Sequence, residues 1–518
     1  MRQGRTFFSS RNIIFGICLK AYQTMLPFVI RTVMIRYMGM EYTGIGSLFA
    51  SILSVLNLAE LGVGSAMVYS MYKPIAEGDD KTVCALLKLY KFYYRIIGMV
   101  ICVAGIVILP FVPKLINGTV PDGLNVYILY LQYLAATVFS YWLFAYKNSL
   151  LNAYQRNDVI SKIQIATCTI QYGTQILAII SFKNYYIYLT VTLLIQILNN
   201  ILTNIVSNKM YPKLQPEGNL PESNIKQING EVKDIFTSKV GGVIVSAADS
   251  IVISAVLGLL PLALYQNYFS VVSAVIGFIS VAFVAVTAGI GNAFVTESRE
   301  KVYDIFRTVS LLCFMAYGVC VSCFLCLFQP FMKLWVGEEN MLTMGMVIMF
   351  CLYFYVREMM NLFSLYKDGA GIWHQDRFRP LIEAGTNLVL NLILVRFIGL
   401  YGILLSTIIS MAFVSLPWLY GNLFKYVFQR SSKSYLVSVF GCLLIIAAIA
   451  AADYFICSFI PDGGILFFVV RMFVCVTVSV LLHFFIFSRF KRFKSVVDLI
   501  NRAAGGKLDW FVRKYNKS

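Results

Sequence analysis

Solid runs of about 20 apolar residues recur along the whole chain, separated by short polar connections. Each is long enough to cross a roughly 30 Å hydrocarbon core as a helix. The runs do not alternate polar with apolar positions, which disfavours a transmembrane β-barrel. About fourteen candidate spans are centred near residues 24, 58, 102, 136, 170, 195, 247, 275, 316, 354, 389, 412, 448 and 476. The connections on one side are too short to hold a folded outer domain. The longest polar loop contains Pro212, Pro216, Gly218, Pro221 and Gly230 and reads as an irregular linker.

This linker divides the first twelve spans into two sets of six. Val33–Gly39, followed by Gly44 and Ile45, resembles Val252–Gly258, followed by Ala263 and Leu264. In both places a span ends at a glycine and the next begins about five residues later, as in transporters built from internal repeats. The expected organisation is an all-α membrane protein with a first lobe over 1–206, a cytoplasmic linker over 207–235 and a second lobe over 236–424. Two extra helices over 425–487 and a basic cytoplasmic tail over 488–518 follow.

Composition agrees: 59% of residues are hydrophobic and 13% charged, whereas soluble domains carry about a quarter charged residues. The formal charge of +18 raises nucleic acid as a partner, but the distribution of the basic residues argues against it. About 34 of the 43 lysines and arginines fall in alternate connections and at the two ends. That asymmetry predicts that both termini are cytoplasmic. The first apolar run contains Lys20 and lacks a small-residue cleavage site, so it reads as a retained helix. The tail, with Arg489, Lys491, Arg492 and Lys494 among Phe490 and Phe493, then Trp510 and Phe511, suits an amphipathic segment on an anionic leaflet or an ordinary topology-setting tail.

Ionisable residues inside spans cost at least a few kcal/mol when they face lipid, so they mark candidate sites. Lys20, Thr24, Pro27 and Arg31 are spaced 4, 3 and 4 and share one stripe of the first span. A turn near Met40 sets Glu60 opposite Lys20 and places Asn57 one turn from Glu60. Asp249 in the seventh span stands near the repeat position of Arg31, and an Arg31–Asp249 contact across the lobes would make a gate. Asn267, beside Tyr265 and Gln266, is suited to hydrogen-bonding sugars or to an interface belt. Arg357 and Glu358 are adjacent, so one of them at most points into a cavity. Asp453 and Arg471 each stand nine residues from a turn near Asp462 and read as a structural pair. Cys320, Cys323 and Cys326 share a helix face, but no fourth cysteine or histidine accompanies them, so they read as packing and no metal site is expected. No catalytic triad or phosphate loop is present, and no enzyme activity is expected.

Four stretches together carry a family resemblance. The first is Met38–Gly44, Leu58–Gly64 and Met71–Pro74 with Asp79 and Asp80. The others are Asp249–Gly258 with Tyr265–Tyr268, Leu334–Gly337, and Gly371–Pro380 through Asn387 and Leu388 to Gly399–Ile403. The chain resembles the bacterial Wzx-type polysaccharide-export flippases of the multidrug/oligosaccharidyl-lipid/polysaccharide flippase superfamily. That resemblance implies two six-helix lobes around a cationic central cavity and alternating access. It also implies transport of polyprenyl-pyrophosphate-linked oligosaccharide from the inner to the outer leaflet, alongside a polysaccharide polymerase or chain-length machinery. Related lipid II flippases carry two extra helices that form a lipid groove, and the last two spans match that count.

On this reading Lys20, Arg31, Asn57, Asn267 and Arg357 are candidate substrate-binding residues, since a preorganised cation replaces part of the hydration of a pyrophosphate. Glu60 and Asp249 are candidates for coupling to a H⁺ or Na⁺ gradient, and no other cofactor is expected. The alternatives are a multidrug and toxin extruder of the same architecture, a membrane glycan polymerase or ligase, and a non-transporting scaffold.

Overall fold

The computed structural model describes residues 2–118, 120–461 and 463–503, and among them the secondary structure is entirely helical. The chain forms two compact units, Met1–Gln266 and Asn267–Ser518. The first holds α1 (Arg2–Tyr37), α2 (Met40–Leu56), α3 (Val63–Glu77), α4 (Asp80–Ile108), α5 (Val126–Trp142), α6 (Tyr146–Ala153), α7 (Asn157–Phe182), α8 (Tyr185–Met210), α9 (Glu222–Val256) and the start of α10 (Leu259–Thr296). The second holds the rest of α10, then α11 (Arg299–Val336), α12 (Met344–Ala370), α13 (Trp373–Asp376), α14 (Arg379–Ile398), α15 (Leu400–Ser410), α16 (Leu416–Asn422), α17 (Lys433–Ser458), α18 (Gly464–Phe487) and α19 (Phe493–Ala503). Two π-helical turns, Met411–Ser415 and Leu423–Phe428, flank α16. Twelve helical stretches among the described residues are long and apolar enough to cross a membrane, or thirteen if α5 and α6, bent by 50°, count as one. Each of the fourteen expected centres falls inside a helical stretch.

Local chemistry explains most boundaries. Asn125 and Asn184 cap α5 and α8 by accepting hydrogen bonds from the second and third amides that follow. Asp79 caps α4, accepting from Thr82 N at 3.0 Å and from the Thr82 hydroxyl. Those bonds hold the Asp79 carboxyl below the usual range. The two similar sequence stretches have similar conformations. Gly39 (φ 121°) donates to Met34 O and Gly258 (φ 103°) donates to Ile253 O, so each span ends at a positive-φ glycine whose amide bonds five residues back.

The second span is not one helix. After α2 the chain tightens into a 3₁₀ turn, Asn57–Glu60, passes through extended Leu61 and restarts at Val63. Gly62 makes the break, with φ 94°; a Cβ there would sit 2.8 Å from Val232 O and 3.1 Å from Ile235 Cβ. Helix α1 leaves α2 beyond the Gly39 turn and packs chiefly along α7. The hairpin register that set Lys20 opposite Glu60 therefore does not exist. Lys20 is exposed and forms no ion pair with Glu60.

The irregular linker is shorter than expected, because α8 runs to Met210 and α9 starts at Glu222. It is also tied down: Lys147 Nζ donates to Leu214 O at 3.2 Å and Lys88 Nζ to Asn219 Oδ1 at 2.9 Å. Helix α9 packs against α2 and α3 and belongs to the first unit. In the tail, Phe493, Val496 and Val497 are buried and α19 packs on α11, with Arg492 Nη1 2.6 Å from Asp304 Oδ1. Part of the apolar face of α19 is thus covered by protein, while Ile500 stays exposed. Trp510 and Phe511 lie outside the described residues.

The second unit buries an ion network that the sequence reading did not identify. Arg379 makes a two-pronged contact with Asp376 (2.7 and 3.2 Å) and reaches Glu383 at 3.0 Å, while Lys367 Nζ lies 3.2 Å from Asp376 Oδ2. Ser415, in the first π turn, donates to Glu383 and accepts from Arg379. A widened turn thereby supplies a hydroxyl to an ion network that is itself buried.

Two substitutions test these readings by thermal unfolding in detergent. Gly62→Ala forces a side chain into left-handed backbone against a carbonyl and is expected to cost about 1–3 kcal/mol. Arg379→Ala takes the cation from buried Glu383 and leaves Asp376 with Lys367 alone, and is expected to cost about 3–5 kcal/mol. Arg379→Lys, which keeps the charge, should cost less than the alanine variant.

Candidate functional site

The break at Asn57–Gly62 opens onto a cavity of about 930 Å³ within the first unit. Its walls come from the 3₁₀ turn, α1, α3, α4, α5, α6, α7 and α8. The lining residues lie toward the ends of these helices that are joined by connections 78–79, 154–156 and 211–221, so the cavity belongs to that half of the unit. The sharp bend between α5 and α6 carries Ser140, Tyr141, Asn148, Ser149 and Asn152 around one side of it.

The lining is polar and nearly uncharged. Amides of Asn148, Asn152, Gln164, Gln171, Gln196 and Asn199 alternate with serine, threonine and tyrosine hydroxyls, and among the described residues Glu60 is the one ionisable acid or base apart from phenols and Cys168. Glu60 is held by tyrosines: Oε1 accepts from Tyr94 at 2.8 Å and Oε2 from Tyr141 at 3.1 Å. Tyr90 donates to the Tyr94 hydroxyl at 2.6 Å, completing a chain Tyr90–Tyr94–Glu60 along the wall. Hydrogen bonds to an ionised carboxylate are about twice as strong as neutral ones, so these phenols fix the carboxylate where the helix breaks. Other groups are set by the scaffold, with Asn200 Nδ2 on Ser140 O at 2.9 Å and Thr167 Oγ1 on Asn199 Oδ1 at 3.1 Å. Asn148 Oδ1 is buried without a hydrogen-bond partner. A hydroxyl-bearing guest would satisfy it.

Of the residues singled out from the sequence, Glu60 lines this cavity. Arg31 does not; its guanidinium is 3.2 Å from Ala263 O and 3.5 Å from Thr43 Oγ1, beside the phenols of Tyr185 and Tyr188. Those phenols belong to a tyrosine cluster in which Tyr185 stacks on Tyr188, meets Tyr42 edge-on and shares a hydrogen bond with Tyr133. Asn57 sits at the break with its Oδ1 buried and unpartnered. Asp249 and Asn267 are buried, Asp249 in the first unit and Asn267 in the second. In the second unit Arg357 is half-buried, whereas Glu358 is fully buried and accepts from Asn361 at 2.9 Å.

The expected Asp453–Arg471 pair is not formed. Arg471 donates to Ile460 O at the end of α17, while Asp453 is buried among Cys457, Cys475 and Ser479. Residues equidistant from a turn face each other only in a straight, in-register hairpin, and here Asp453 meets the α18 thiol Cys475 at 3.6 Å while Arg471 reaches the carbonyl of Ile460, just beyond the end of α17.

Sequence reasoning missed the cavity residues other than Glu60. Their signal was present as polar stripes of helical period within apolar spans: Asn148 and Asn152; Gln164, Thr167 and Gln171; Gln196, Asn199 and Asn200; Tyr90 and Tyr94. Attention to charge alone passed over them.

No family model and no curated protein sequence matches the chain. Solved structures do. A lipid II flippase MurJ in an inward closed conformation matches with a TM-score of 0.63 at 15% identity, covering 92% of this chain and 99% of that one. An inward-facing multidrug-resistance MATE family transporter of the MOP superfamily matches at 0.59 and 14% identity, covering 78% of this chain and 98% of that one. An outward-facing structure of a MATE family transporter gives 0.53 at 14% identity, with 80% and 95% covered. The fold is that of MATE transporters and of MurJ. At these identities the likeness establishes architecture and leaves the substrate to the residues.

The cavity is testable directly. In a variant lacking Cys168, thiols introduced as Gln171→Cys or Asn148→Cys are expected to react with a hydrophilic maleimide, whereas the buried Cys351 does not. Labelling intact spheroplasts and inverted vesicles separately identifies the membrane face on which the cavity opens. Protection of both thiols in detergent-solubilised protein would contradict an accessible polar cavity.

Proposed function

We propose that this chain is a flippase that carries a polyprenyl-pyrophosphate-linked oligosaccharide from the inner to the outer leaflet of the bacterial cytoplasmic membrane by alternating access. The observation that supports it best is the cavity lining: many neutral amides and hydroxyls, one carboxylate and one orphaned carbonyl oxygen. Sugars present rows of hydroxyls that both donate and accept, and fixed amide and hydroxyl groups answer them. A cavity of about 930 Å³ falls in the range that encloses a small-molecule-sized guest. The cavity takes the sugar, and the pyrophosphate meets cations elsewhere. Arg31 fits that role best, because its guanidinium is partly withdrawn from water, lies beside Thr43 Oγ1 and Ala263 O, and can grip a phosphate with two parallel hydrogen bonds. Lys20, exposed on the same stripe of α1, is a landing site, and Arg357 in the second unit is a further cationic contact. Asn57 and Asn267 remain candidate sugar contacts, and Asp249 a gate or coupling carboxylate.

A second reading is favoured by a specific observation. The charged group in the cavity is acidic and ringed by Tyr90, Tyr94 and Tyr141, which suits an organic cation as in multidrug extrusion. In either reading Glu60 is the carboxylate through which a H⁺ or Na⁺ gradient acts.

Two measurements separate them. In the native host, Arg31→Ala is expected to abolish surface glycan with the protein still present in the membrane, and Arg31→Lys to retain part of it. Normal glycan export by Arg31→Ala removes the pyrophosphate role. In proteoliposomes, movement of a fluorescent lipid-linked oligosaccharide supports the flippase, whereas extrusion of a cationic dye that Glu60→Gln abolishes supports the drug antiporter.

A further inference from the structure

Three helices of the second unit bring soft ligands to one point. Cys326 comes from α11, Asp453 and Cys457 stand one turn apart on α17, and Cys475 comes from α18. All four side chains are buried, Asp453 and Cys475 completely, and their ligand atoms lie within 4.8 Å of one another. We infer that these four residues form a zinc site that ties the α17–α18 pair to α11.

The geometry supports this beyond proximity. A tetrahedral zinc with Zn–S of about 2.3 Å and Zn–O of about 2.1 Å has ligand-to-ligand edges of about 3.5–3.8 Å. Asp453 Oδ2 lies 3.6 Å from Cys475 Sγ, and Asp453 Oδ1 lies 3.9 Å from Cys457 Sγ. The two thiols thus flank opposite oxygens of one carboxylate, and with all four ligand atoms within 4.8 Å of one another a contraction of up to about 1 Å reaches the tetrahedral edge length.

The carboxylate adds an electrostatic argument. Asp453 is fully buried and, among the described residues, no lysine, arginine or histidine pairs with it; its neighbours are two thiols and the Ser479 hydroxyl. Thiols are weak donors, and a buried carboxylate is costly without a cation or strong hydrogen bonds. A divalent ion supplies the missing charge. Three thiolates with one carboxylate select a borderline-soft, tetrahedral ion, which is Zn²⁺ rather than Mg²⁺ or Ca²⁺. Cys323, packed against the cluster, is a spare thiol.

The test uses full-length protein purified in detergent through a tag without histidines. Elemental analysis is expected to find about one zinc per chain, and Asp453→Asn or Cys475→Ser to lower retained zinc at least tenfold after mild chelation. Added Cd²⁺ should produce an ultraviolet thiolate-to-metal absorption in wild type that Cys326→Ser removes. Chelation should lower the thermal midpoint by several degrees, and added zinc should restore it. Wild-type protein with less than a tenth of a zinc per chain, and no cadmium absorption, overturns the site. A disulfide among Cys326, Cys457 and Cys475 in protein isolated from cells overturns it equally. The metal content of the wild type decides even if a cysteine variant fails to fold, and size-exclusion profiles of each variant show whether it has folded.

Discussion

Inside a bilayer no water is on hand to satisfy a polar group, so every break in a helix and every ionisable side chain must find its partner within the protein. The second span shows how much follows from that. A straight helix through residues 40–77 would satisfy its own backbone and present a smooth wall. Instead Gly62 lets the chain turn, the 3₁₀ turn at Asn57–Glu60 loosens the backbone ladder, and Glu60 lands where Tyr94 and Tyr141 reach it. The break needs protein on its far side, and α9 provides it at Val232 and Ile235. The cavity, its single carboxylate and the packing of α9 on α2 and α3 are consequences of one interrupted helix.

The same constraint sorts the remaining polar groups by what they can do. In the second unit Arg379, Asp376, Glu383, Lys367 and Ser415 answer one another, each charge meeting an opposite one inside the protein. Its role is structural, since breaking a buried pair costs several kcal/mol whereas forming it contributes little net stability. The first unit holds the opposite case. Its cavity carries amides whose neutral dipoles cost far less to leave half-satisfied than a charge does, and Asn148 Oδ1 is left open. Groups left incomplete are those with capacity to bind, which is why the site is argued from amides and phenols rather than from the strongest ion pairs.

Much of the fold was legible because its signals are local. Span length and the glycines at 39 and 258 act through neighbours a few residues away, and both sit where the pattern put them. What failed was register between helices. Lys20 and Glu60, like Asp453 and Arg471, are equidistant from a turn, but equal distance implies contact only if both helices stay straight and paired. Helix α1 follows α7 instead, and Arg471 is taken by a carbonyl at the end of α17. The cysteines show the complementary failure. Spacing on α11 revealed a thiol face, and the partners that change its meaning lie about 130 and 150 residues further along.

Those partners also bear on why α17 and α18 stay in place. Much of α18 is exposed and apolar, and lipid tails solvate such a surface as well as another helix does. Hydrophobic burial therefore gives little reason for α18 to dock at all. Close packing and a few directed polar contacts must hold it. His483 packs closely against Gly318 of α11, and the Cys475 thiol faces Ser322 O of the same helix at 3.8 Å. Neither is strong alone. A metal shared by Cys326, Asp453, Cys457 and Cys475 would exceed both, because each of its bonds is lost if either helix slides by one residue. A shared ion would therefore determine the register of α17 and α18 on α11, which their apolar surfaces leave undetermined.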